Sequence, residues 1–509
     1  MMLSELCRRV DGAALEFKGG IAFDYDVAHV THDSRDVVPG TLFVALPGQR
    51  TDGLQFLPQA LARGARIIAV PRDTAIDLPA DVGCLHLVEP RRDLASLSAF
   101  ACGQPSQRLS ICGVTGTNGK TTVTTIIADC VAASGEPPGL IGTVSHRIGE
   151  RVVPTRHTTP EAPELQRLLG EMVDAGVLRV AMEVSSIGLV EHRVDETRFL
   201  VAAFTNLTPD HLDYHLTMQD YGEAKARLFS EHLDPTGTAL IDVDDPFGQA
   251  LCSKVGDGVR VWRVSLLRRD VEVYYETLSQ DARGLRGTLC TPLGALQLET
   301  PLIGRFNASN VAIAAASAWA LGVPPEAIAR ALLTATVRGR LERVPGPSTA
   351  PTVLVDYAHT PDALSRVLEA LASVSKGRVI CIFGCGGDRD VKKRPQMGEA
   401  AAVADAVIVT TDNPRSESPE AIALAAAAGS IAGGRPLSAL PAFGFTTVIL
   451  DRSLAITAAL TLATANDVVL VAGKGHETYQ EVQGVRLDFD DVKVSADALV
   501  AWRGDETCR

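Results

Sequence analysis

The sequence predicts an α/β protein built of three domains, and three observations support this. At 509 residues the chain is too long for one ordinary hydrophobic core, so we expect about two to four domains. An apolar run at 109–112 leads into a glycine-rich turn at 113–119, and a helical pattern follows at 123–131. From residue 337 onward, apolar β-rich runs alternate with helical stretches, which is typical of a parallel sheet.

Changes in local composition place the predicted domain boundaries. Residues 1–105 have short β-like runs between Gly and Pro turns, which predicts a smaller N-terminal α/β domain. Residues 106–336 contain the glycine-rich turn, so we expect a central P-loop-type ATPase domain with a mostly parallel sheet. Residues 337–509 are expected to form a C-terminal Rossmann-like α/β domain.

Composition and charge restrict the class of function. Hydrophobic residues make up 46% of the chain and the net charge is −13, which argues against nonspecific binding to nucleic acid or anionic membranes. No apolar run reaches the length of a membrane span, and the first residues have no signal-peptide core. Of the ten cysteines, Cys381 and Cys385 lie close in sequence without a second pair or a His cluster, which indicates reduced thiols. We expect a cytoplasmic monomer with small-molecule partners, no nucleic acid and no membrane insertion.

The glycine-rich turn is the clearest chemical signal in the chain. It reads Gly-Val-Thr-Gly-Thr-Asn-Gly-Lys-Thr-Thr at 113–122, so Gly116 and Gly119 can direct backbone N–H groups toward phosphates. Lys120 adds positive charge and the Thr121 hydroxyl can bind Mg²⁺. A strict P-loop would have Gly where Val114 stands, and a simple turn followed by a solvated lysine is the alternative interpretation.

Polar clusters follow the predicted strands of the central and third segments. In the third segment the apolar runs are 352–355, 379–383, 406–410 and 467–471, and each is followed by polar residues. Ligands of parallel sheets bind at these carboxyl ends. In the central segment, Glu183 and His211 follow two strands and could complete a Mg²⁺ shell with Thr121. An ordinary strand-end carboxylate and a loop histidine are the alternatives.

Several of these motifs resemble those of the ATP-dependent Mur ligases. They are Gly116-Thr117-Asn118-Gly119-Lys120-Thr121-Thr122, Glu183-Val184-Ser185-Ser186 and Asn206-Leu207-Thr208-Pro209-Asp210-His211-Leu212-Asp213. The resemblance covers essentially the whole chain and is strongest to the members that add the third residue of the peptidoglycan peptide. It implies that ATP, with Mg²⁺, converts a carboxylate of UDP-N-acetylmuramoyl-L-alanyl-D-glutamate into an acyl phosphate, which the amine of meso-diaminopimelate then attacks.

The resemblance also implies roles for individual residues. The catalytic residues would be Lys120, Lys225, His211 and Glu183, and the metal ligands Thr121, Glu183, His211 and Lys225 in carbamylated form. The ATP-binding residues would be Gly116, Thr117, Asn118, Gly119, Lys120, Thr121, Thr122, Asn307, Arg340 and Asp356. From the sequence alone, Lys225 would be a solvated helix lysine, Asn307 a helix cap, and Arg340 and Asp356 a surface ion pair.

Two further sets of residues are implied for the other substrates. The UDP-muramoyl-peptide set is Ser34, Gln49, Arg50, Thr51, His157, Thr158, Thr159, Ser185, Glu191 and Arg193, and it would include the UDP-binding part of domain 1–105. The diaminopimelate set is Arg389, Asp412, Asn413, Pro414, Arg415, Gly473 and Glu477. The chain departs from the family pattern at two positions. Ile187 stands where His or Gln is common, and Glu191 stands where Gln is common.

Arg415 is the residue that indicates which amino acid is added. Diaminopimelate carries a second carboxylate at its far end, and a guanidinium binds a carboxylate with two parallel hydrogen bonds. Lysine has no such group, and Glu477 would bind the distal ammonium. The alternatives are a lysine-adding synthetase, another Mur or folylpolyglutamate-type ligase, and a P-loop ATPase that forms no amide.

Overall fold

The computed structural model describes residues 1–10, the backbone of 14–17, and residues 25–48, 51–281, 283–347 and 349–502. The chain divides into two compact units. The first comprises Met1–Val273 and Ile313–Ile328, and the second comprises Tyr274–Ala312 and Ala329–Arg509. In none of the described ranges is a helix both long and apolar enough to cross a membrane.

The first unit begins with a five-stranded sheet. Its strands are β1 (Ala14–Phe17), β2 (His29–Thr31), β3 (Thr41–Val44), β4 (Ile67–Pro71) and β5 (Gly83–Leu87), and its helices are α1 (Leu3–Cys7), α2 (Leu57–Ala62) and α3 (Pro90–Ala101). The strand order is β1-β5-β4-β3-β2, and every pair except the antiparallel β1–β5 is parallel. Apolar side chains of β3 and β4 are buried on both faces, which explains their continuous apolar runs.

The same unit contains a larger, mostly parallel sheet. Its strands are β6 (Ser110–Thr115), β7 (Gly139–Ile141), β8 (His146–Ile148), β9 (Arg151–Val153), β10 (Arg179–Glu183), β11 (Phe199–Phe204), β12 (Leu233–Asp242) and β13 (Arg260–Ser265). The strand order is β13-β12-β11-β6-β10-β7-β8-β9, with antiparallel pairing only at β8 and β9. The predicted P-loop strand β6 therefore lies between β10 and β11, so the polar residues after all three strands meet at one edge.

Six helices connect or flank these strands. They are α4 (Lys120–Ala133), α5 (Ala162–Asp174), α6 (Ser186–Val190), α7 (Leu212–His215), α8 (Met218–Arg227) and α9 (Pro246–Leu251). α4 begins directly after the glycine-rich turn, as the helical pattern at 123–131 predicts. The hydroxyl of Thr217 caps α8 by accepting a hydrogen bond from the Asp220 N–H.

Three antiparallel strands come next in the chain, and the sequence patterns did not predict them. They are β14 (Val273–Asp281), β15 (Gly284–Thr291) and β16 (Gly294–Thr300), followed by α10 (Arg305–Ala320) and α11 (Pro325–Leu333). The exposed face of β14 and β16 carries Thr, Glu and Gln, so neither strand has the apolar run that marked the buried strands.

The second unit ends in the predicted parallel α/β sheet. Its strands are β17 (Glu342–Arg343), β18 (Thr352–Asp356), β19 (Val379–Phe383), β20 (Ala406–Val409), β21 (Thr446–Val448) and β22 (Val468–Ala472), and a hairpin of β23 (Tyr479–Val482) and β24 (Val485–Asp488) follows. The order is β17-β18-β22-β19-β20-β21, with β17 antiparallel and the rest parallel. All four predicted runs are confirmed as strands.

Helices cover both faces of this sheet. They are α12 (Pro361–Val374), α13 (Lys393–Ala401), α14 (Pro419–Ala432), α15 (Arg452–Leu462) and α16 (Asp491–Ala501). One apolar cluster joins α12, α13 and α14 to one face, and a second joins α15 and α16 to the other. This two-sided burial leaves the strand ends as the place where polar side chains can gather.

Candidate active site

The glycine-rich turn forms a tight loop between β6 and α4. Gly116 has φ 148°, and a Cβ atom there would lie 1.9 Å from Thr205 Oγ1, so the loop has no room for a side chain at this position. Gly119 has φ 90° and precedes the first turn of α4. Lys120 Nζ donates to the carbonyl oxygens of Gly116 at 2.8 Å and Thr117 at 2.9 Å. The loop thus holds the lysine at the N-terminus of a 14-residue helix.

The segment that follows β11 braces this loop. Thr205 Oγ1 donates to the Asn118 carbonyl at 2.6 Å, and the Asn118 N–H donates to Asn206 Oδ1 at 2.9 Å. The Thr117 hydroxyl donates to the Thr208 carbonyl at 3.1 Å. These bracing roles were not predicted, although Asn206 and Thr208 belong to a motif already noted in the sequence.

Glu183, at the end of β10, joins Thr121 on one side and Thr143 on the other. Its Oε2 accepts hydrogen bonds from the Thr121 hydroxyl at 3.1 Å and the Thr143 hydroxyl at 3.0 Å, and its Oε1 accepts from the Thr143 N–H at 2.8 Å. The residue is 1% exposed. A buried carboxylate beside a P-loop hydroxyl is a donor set that suits a hard cation such as Mg²⁺. Thr143 was not predicted, because a single threonine after a short strand carries no spacing signal.

Lys225 is buried against the same loop, so its interpretation as a solvated lysine is wrong. Its side chain is 1% exposed, its Nζ donates to the Gly116 carbonyl at 3.0 Å, and it lies 4.1 Å from the centroid of the Tyr221 ring. Burial, and then the positive charge of Lys120, lowers the pKa of Lys225 well below its usual value, although Asp210 opposes this shift. A neutral amine is the form that reacts with CO₂.

His211 lies near this lysine pair in an uncommon backbone conformation. It has φ 54°, and its Nε2 is 3.7 Å from Asp210 Oδ2. Burial lowers its pKa, Asp210 opposes that shift, and the positive charge of Lys120 reinforces it. Across the described residues, no group of three or more His, Cys, Asp and Glu side chains is placed to hold a metal ion. A magnesium site here would therefore need Thr121, a modified Lys225 or substrate oxygens.

The residues predicted to bind the muramoyl peptide lie next to Glu183. Thr159 Oγ1 donates to the Glu183 carbonyl at 3.0 Å and accepts from the Ser185 N–H at 2.9 Å. Arg193 Nη1 donates to the Thr159 carbonyl at 3.1 Å. The Thr158 hydroxyl is 3.0 Å from that of Thr143. Four predicted residues are thus connected to the Glu183 strand end.

The remaining residues of this set are more dispersed. Glu191, a departure from the family pattern, pairs with Arg91 at 2.6 Å and accepts a hydrogen bond from the Tyr214 hydroxyl at 2.6 Å. Ser34 is buried and donates to Gln59 Oε1 at 2.8 Å. The side chains of Thr51 and His157 are exposed, and Gln49 and Arg50 lie outside the described residues.

In the second unit, two of the predicted ATP-binding residues, Asp356 and Asn307, are buried, and Arg340 is half-buried. Asp356 is 6% exposed and accepts hydrogen bonds from the backbone N–H groups of Leu341 and Ala358, both at 2.7 Å. Burial raises its pKa, against the effect of Arg340. The Arg340 guanidinium lies 4.6 Å from the Tyr357 ring centroid. Asn307 is buried and donates to the Ile303 carbonyl at 2.8 Å.

Lys474 is the centre of the cluster at the ends of β20 and β22, and it was missed as a site residue. It is fully buried, and its Nζ lies 3.2 Å from Asn413 Oδ1, 3.1 Å from Glu477 Oε2 and 3.5 Å from Asp412 Oδ1. Asn413 Nδ2 also donates to Glu477 Oε2 at 2.8 Å. Gly473 has φ 113°, and a Cβ there would lie 2.9 Å from Asp412 Oδ2. The structure therefore brings four of the predicted diaminopimelate residues together.

Arg415 and Arg389 lie at the rim of this cluster, next to Gly386. Arg415 Nη1 donates to the Gly387 carbonyl at 2.6 Å, and its Nε is 3.9 Å from Glu481 Oε2. Arg415 is half-buried with φ 50°, and Arg389 is exposed. Pro414 is buried between Asn413 and Arg415. Two cationic groups thus border a cluster whose side chains carry both charges.

The fold and these contacts define an α/β protein with a P-loop at the end of one parallel sheet and a polar cluster at the ends of another. Three family models match the chain: "Mur ligase family, catalytic domain" at 26–96, "Mur ligase middle domain" at 114–318, and "Mur ligase, glutamate ligase domain" at 339–475. The chain belongs to the Mur ligase family and has its three-domain, mostly parallel α/β architecture.

Two curated relatives and one solved structure extend this comparison. All three are named UDP-N-acetylmuramoyl-L-alanyl-D-glutamate--2,6-diaminopimelate ligase. The relative from Gloeobacter violaceus is 44% identical and covers 94% of each chain, and the one from Parasynechococcus marenigrum is 44% identical over 95% of this chain and 97% of its own. The solved structure is 31% identical with a TM-score of 0.69, and the match covers 98% of this chain and 99% of that one.

Proposed function

We propose that this chain is an ATP-dependent ligase that joins meso-diaminopimelate to UDP-N-acetylmuramoyl-L-alanyl-D-glutamate in peptidoglycan synthesis. The observation that carries the proposal is the cluster of Asn413, Lys474 and Glu477 beside Arg415. It supplies a carboxylate for an ammonium group and a guanidinium for a distal carboxylate. Relatives that match nearly the full chain bear the name of this activity.

The reaction needs ATP because a carboxylate is a poor electrophile. An oxygen of the D-glutamate carboxylate attacks the γ-phosphorus, and ADP leaves with the bridging oxygen. The amine of diaminopimelate then attacks the acyl carbon, the amide bond forms, inorganic phosphate leaves, and the amine loses its proton. In this scheme, Lys120 and the N–H groups at the start of α4 stabilise the negative charge that develops on the transferred phosphoryl group.

Glu183, Thr121 and Lys225 are the residues that would hold magnesium. Bound Mg²⁺ would draw electron density from the phosphate oxygens and offset their charge. Lys225 would contribute as a carbamate, formed when its neutral amine adds CO₂ and loses a proton. The depressed pKa of this buried amine supports the assignment, because an ammonium group does not react with CO₂. His211 would contact the same region from the loop before α7.

The amino-acid site would discriminate by charge. Arg415 would bind the distal carboxylate of diaminopimelate with two hydrogen bonds, and Arg389 would add positive charge at the rim. Glu477, held by Lys474 and Asn413, would accept hydrogen bonds from the distal ammonium. L-Lysine has that ammonium and lacks the carboxylate, so it would leave Arg415 without its partner.

An ADP-release assay with the full chain tests this function. We expect release only when ATP, UDP-muramoyl dipeptide and meso-diaminopimelate are all present. Release with L-lysine alone in place of diaminopimelate would contradict the amino-acid assignment and favour a lysine-adding synthetase. Release that is independent of any amino acid would favour a P-loop ATPase that forms no amide. Mass spectrometry of the product distinguishes ligation from hydrolysis.

A further inference from the structure

A fully buried ion pair lies beside the two loops that carry the proposed amino-acid-binding residues. Arg452 is the first residue of α15 and Asp491 is the first residue of α16, and both side chains are 0% exposed. The guanidinium donates from Nε to Asp491 Oδ1 and from Nη2 to Asp491 Oδ2, both at 2.7 Å. This bidentate geometry fixes the plane of the guanidinium.

The guanidinium also reaches the backbone of both loops. Its Nη2 donates to the carbonyl of Ala472 at 3.0 Å, and its Nη1 makes a longer contact to the carbonyl of Thr411 at 3.4 Å. Ala472 directly precedes Gly473, and Thr411 directly precedes Asp412. Because β19 lies between β20 and β22 in the sheet, ladder hydrogen bonds do not join the two loops directly. Arg452 spans this gap.

Two further side chains, Lys474 and Gln480, connect the same two loops. Lys474 contacts Asn413 across the gap, and Gln480 Nε2 donates to the carbonyls of Thr411 at 3.3 Å and Asp412 at 3.0 Å. A shift of either carbonyl would therefore separate Asn413 from Glu477. Groups that bind one ligand together lose affinity when their spacing changes by fractions of an ångström.

We propose that Arg452 and Asp491 are positioning residues of the amino-acid site, which hold the loops after β20 and β22 at the spacing that the substrate requires. The proposal rests on the proposed function. Neither side chain touches the substrate, because both are fully buried; Asp491 fixes the guanidinium, and the guanidinium fixes the two carbonyls.

The test is a double variant, Arg452→Met with Asp491→Leu, in the full chain. Replacing a buried ion pair with apolar side chains of similar size is often neutral for stability, so the double variant should still fold. It would lack the hydrogen bonds from residue 452 to the carbonyls of Ala472 and Thr411. A control is Arg378→Met with Asp467→Leu, in a pair whose aspartate is buried and whose arginine is 42% exposed. That pair is also bidentate, with a 3.0 Å contact, and it precedes β19 and β22 at the opposite end of the same sheet.

We expect the double variant to raise KM for diaminopimelate about 10- to 100-fold and to change KM for ATP by less than about twofold. The control pair should leave both KM values within about twofold. The single variant Arg452→Lys keeps the positive charge but lacks the planar guanidinium. Its KM for diaminopimelate should lie between those of the unsubstituted chain and the double variant.

An unchanged KM for diaminopimelate in a folded double variant would overturn the proposal, as would an equal rise in the control. If the double variant does not fold, Asp491→Asn takes its place, and an unchanged KM for diaminopimelate there would overturn the proposal too. Failure of the proposed function looks different, because the unsubstituted chain would then show no diaminopimelate-dependent ADP release. If the unsubstituted chain uses another amino acid, KM for that amino acid is the quantity to compare.

Discussion

Replacing Arg415 with alanine should weaken the use of diaminopimelate selectively. The guanidinium donates to the Gly387 carbonyl at the rim of the Lys474 cluster, and the side chain is 24% exposed. Loss of a charged hydrogen-bonded contact costs about 2–5 kcal/mol, and we expect about 2–3 kcal/mol because this site is only partly desolvated. Since about 1.4 kcal/mol corresponds to a factor of ten, KM for diaminopimelate should rise about 30- to 150-fold.

Steady-state kinetics with each substrate varied in turn measures this effect. KM for ATP should stay within about twofold, and the preference for diaminopimelate over L-lysine should fall by the same factor as the diaminopimelate affinity. Arg415→Lys keeps a positive charge but lacks the planar guanidinium, so it should raise KM for diaminopimelate less than Arg415→Ala does. Arg486→Ala is the control, because that exposed guanidinium lies on the Tyr479 ring at 4.3 Å. Equal loss toward ATP and diaminopimelate would refute the assignment of Arg415.

Three further outcomes are expected. Burial, reinforced by Arg167, lowers the pKa of His146 to about 4, against 6.5 for an ordinary histidine. The unfolded chain therefore binds a proton at this position before the folded chain does as the pH falls, so His146 alone should lower the free energy of unfolding by about 2 kcal/mol at pH 5 relative to a pH above 7. His146→Leu should reduce the difference between the two pH values in urea unfolding by this amount, whereas exposed His157→Asn should leave it unchanged. Leu216 has φ 64° and is 79% exposed, so Leu216→Gly should relieve strain of about 1 kcal/mol and raise Tm; a lower Tm would contradict this. With ¹³C-bicarbonate, NMR should detect a carbamate signal that Lys225→Met abolishes; persistence of the signal in that variant would assign it elsewhere.

The sequence predicted those features that depend on local pattern. The strands β18, β19, β20 and β22 were recognisable because burial on both faces requires continuous apolar runs. The P-loop was recognisable because glycine spacing and the following lysine lie within a few residues. β14 and β16 were missed because their exposed faces carry polar residues, and Thr143 was missed because a single threonine carries no spacing signal. Lys474 lies in a polar stretch that follows a predicted strand, but only the fold makes it the centre of the cluster.

Other features depend on packing that spans long stretches of chain. From the sequence, Lys225 is interpreted as a solvated lysine because it lies among charged and small residues of α8. In the folded chain it is buried because α8 packs against the Gly116 loop. Arg452 and Asp491 are separated by 39 residues, and no local pattern pairs them. Tertiary contacts of this kind decide charge state and position, and they appear only in the folded structure.

Under the proposed function, the position of Glu183 would couple the binding of ATP to the binding of the muramoyl peptide. Its carboxylate accepts a hydrogen bond from Thr121 of the glycine-rich loop, and its backbone carbonyl accepts one from Thr159, which belongs to the set proposed to bind the peptide. If binding of either substrate shifts this residue, the contacts at the other site change too. The affinity for ATP and the affinity for the muramoyl peptide would then be thermodynamically linked. By reciprocity, whatever factor ATP exerts on the binding of the muramoyl peptide, the peptide must exert on the binding of ATP.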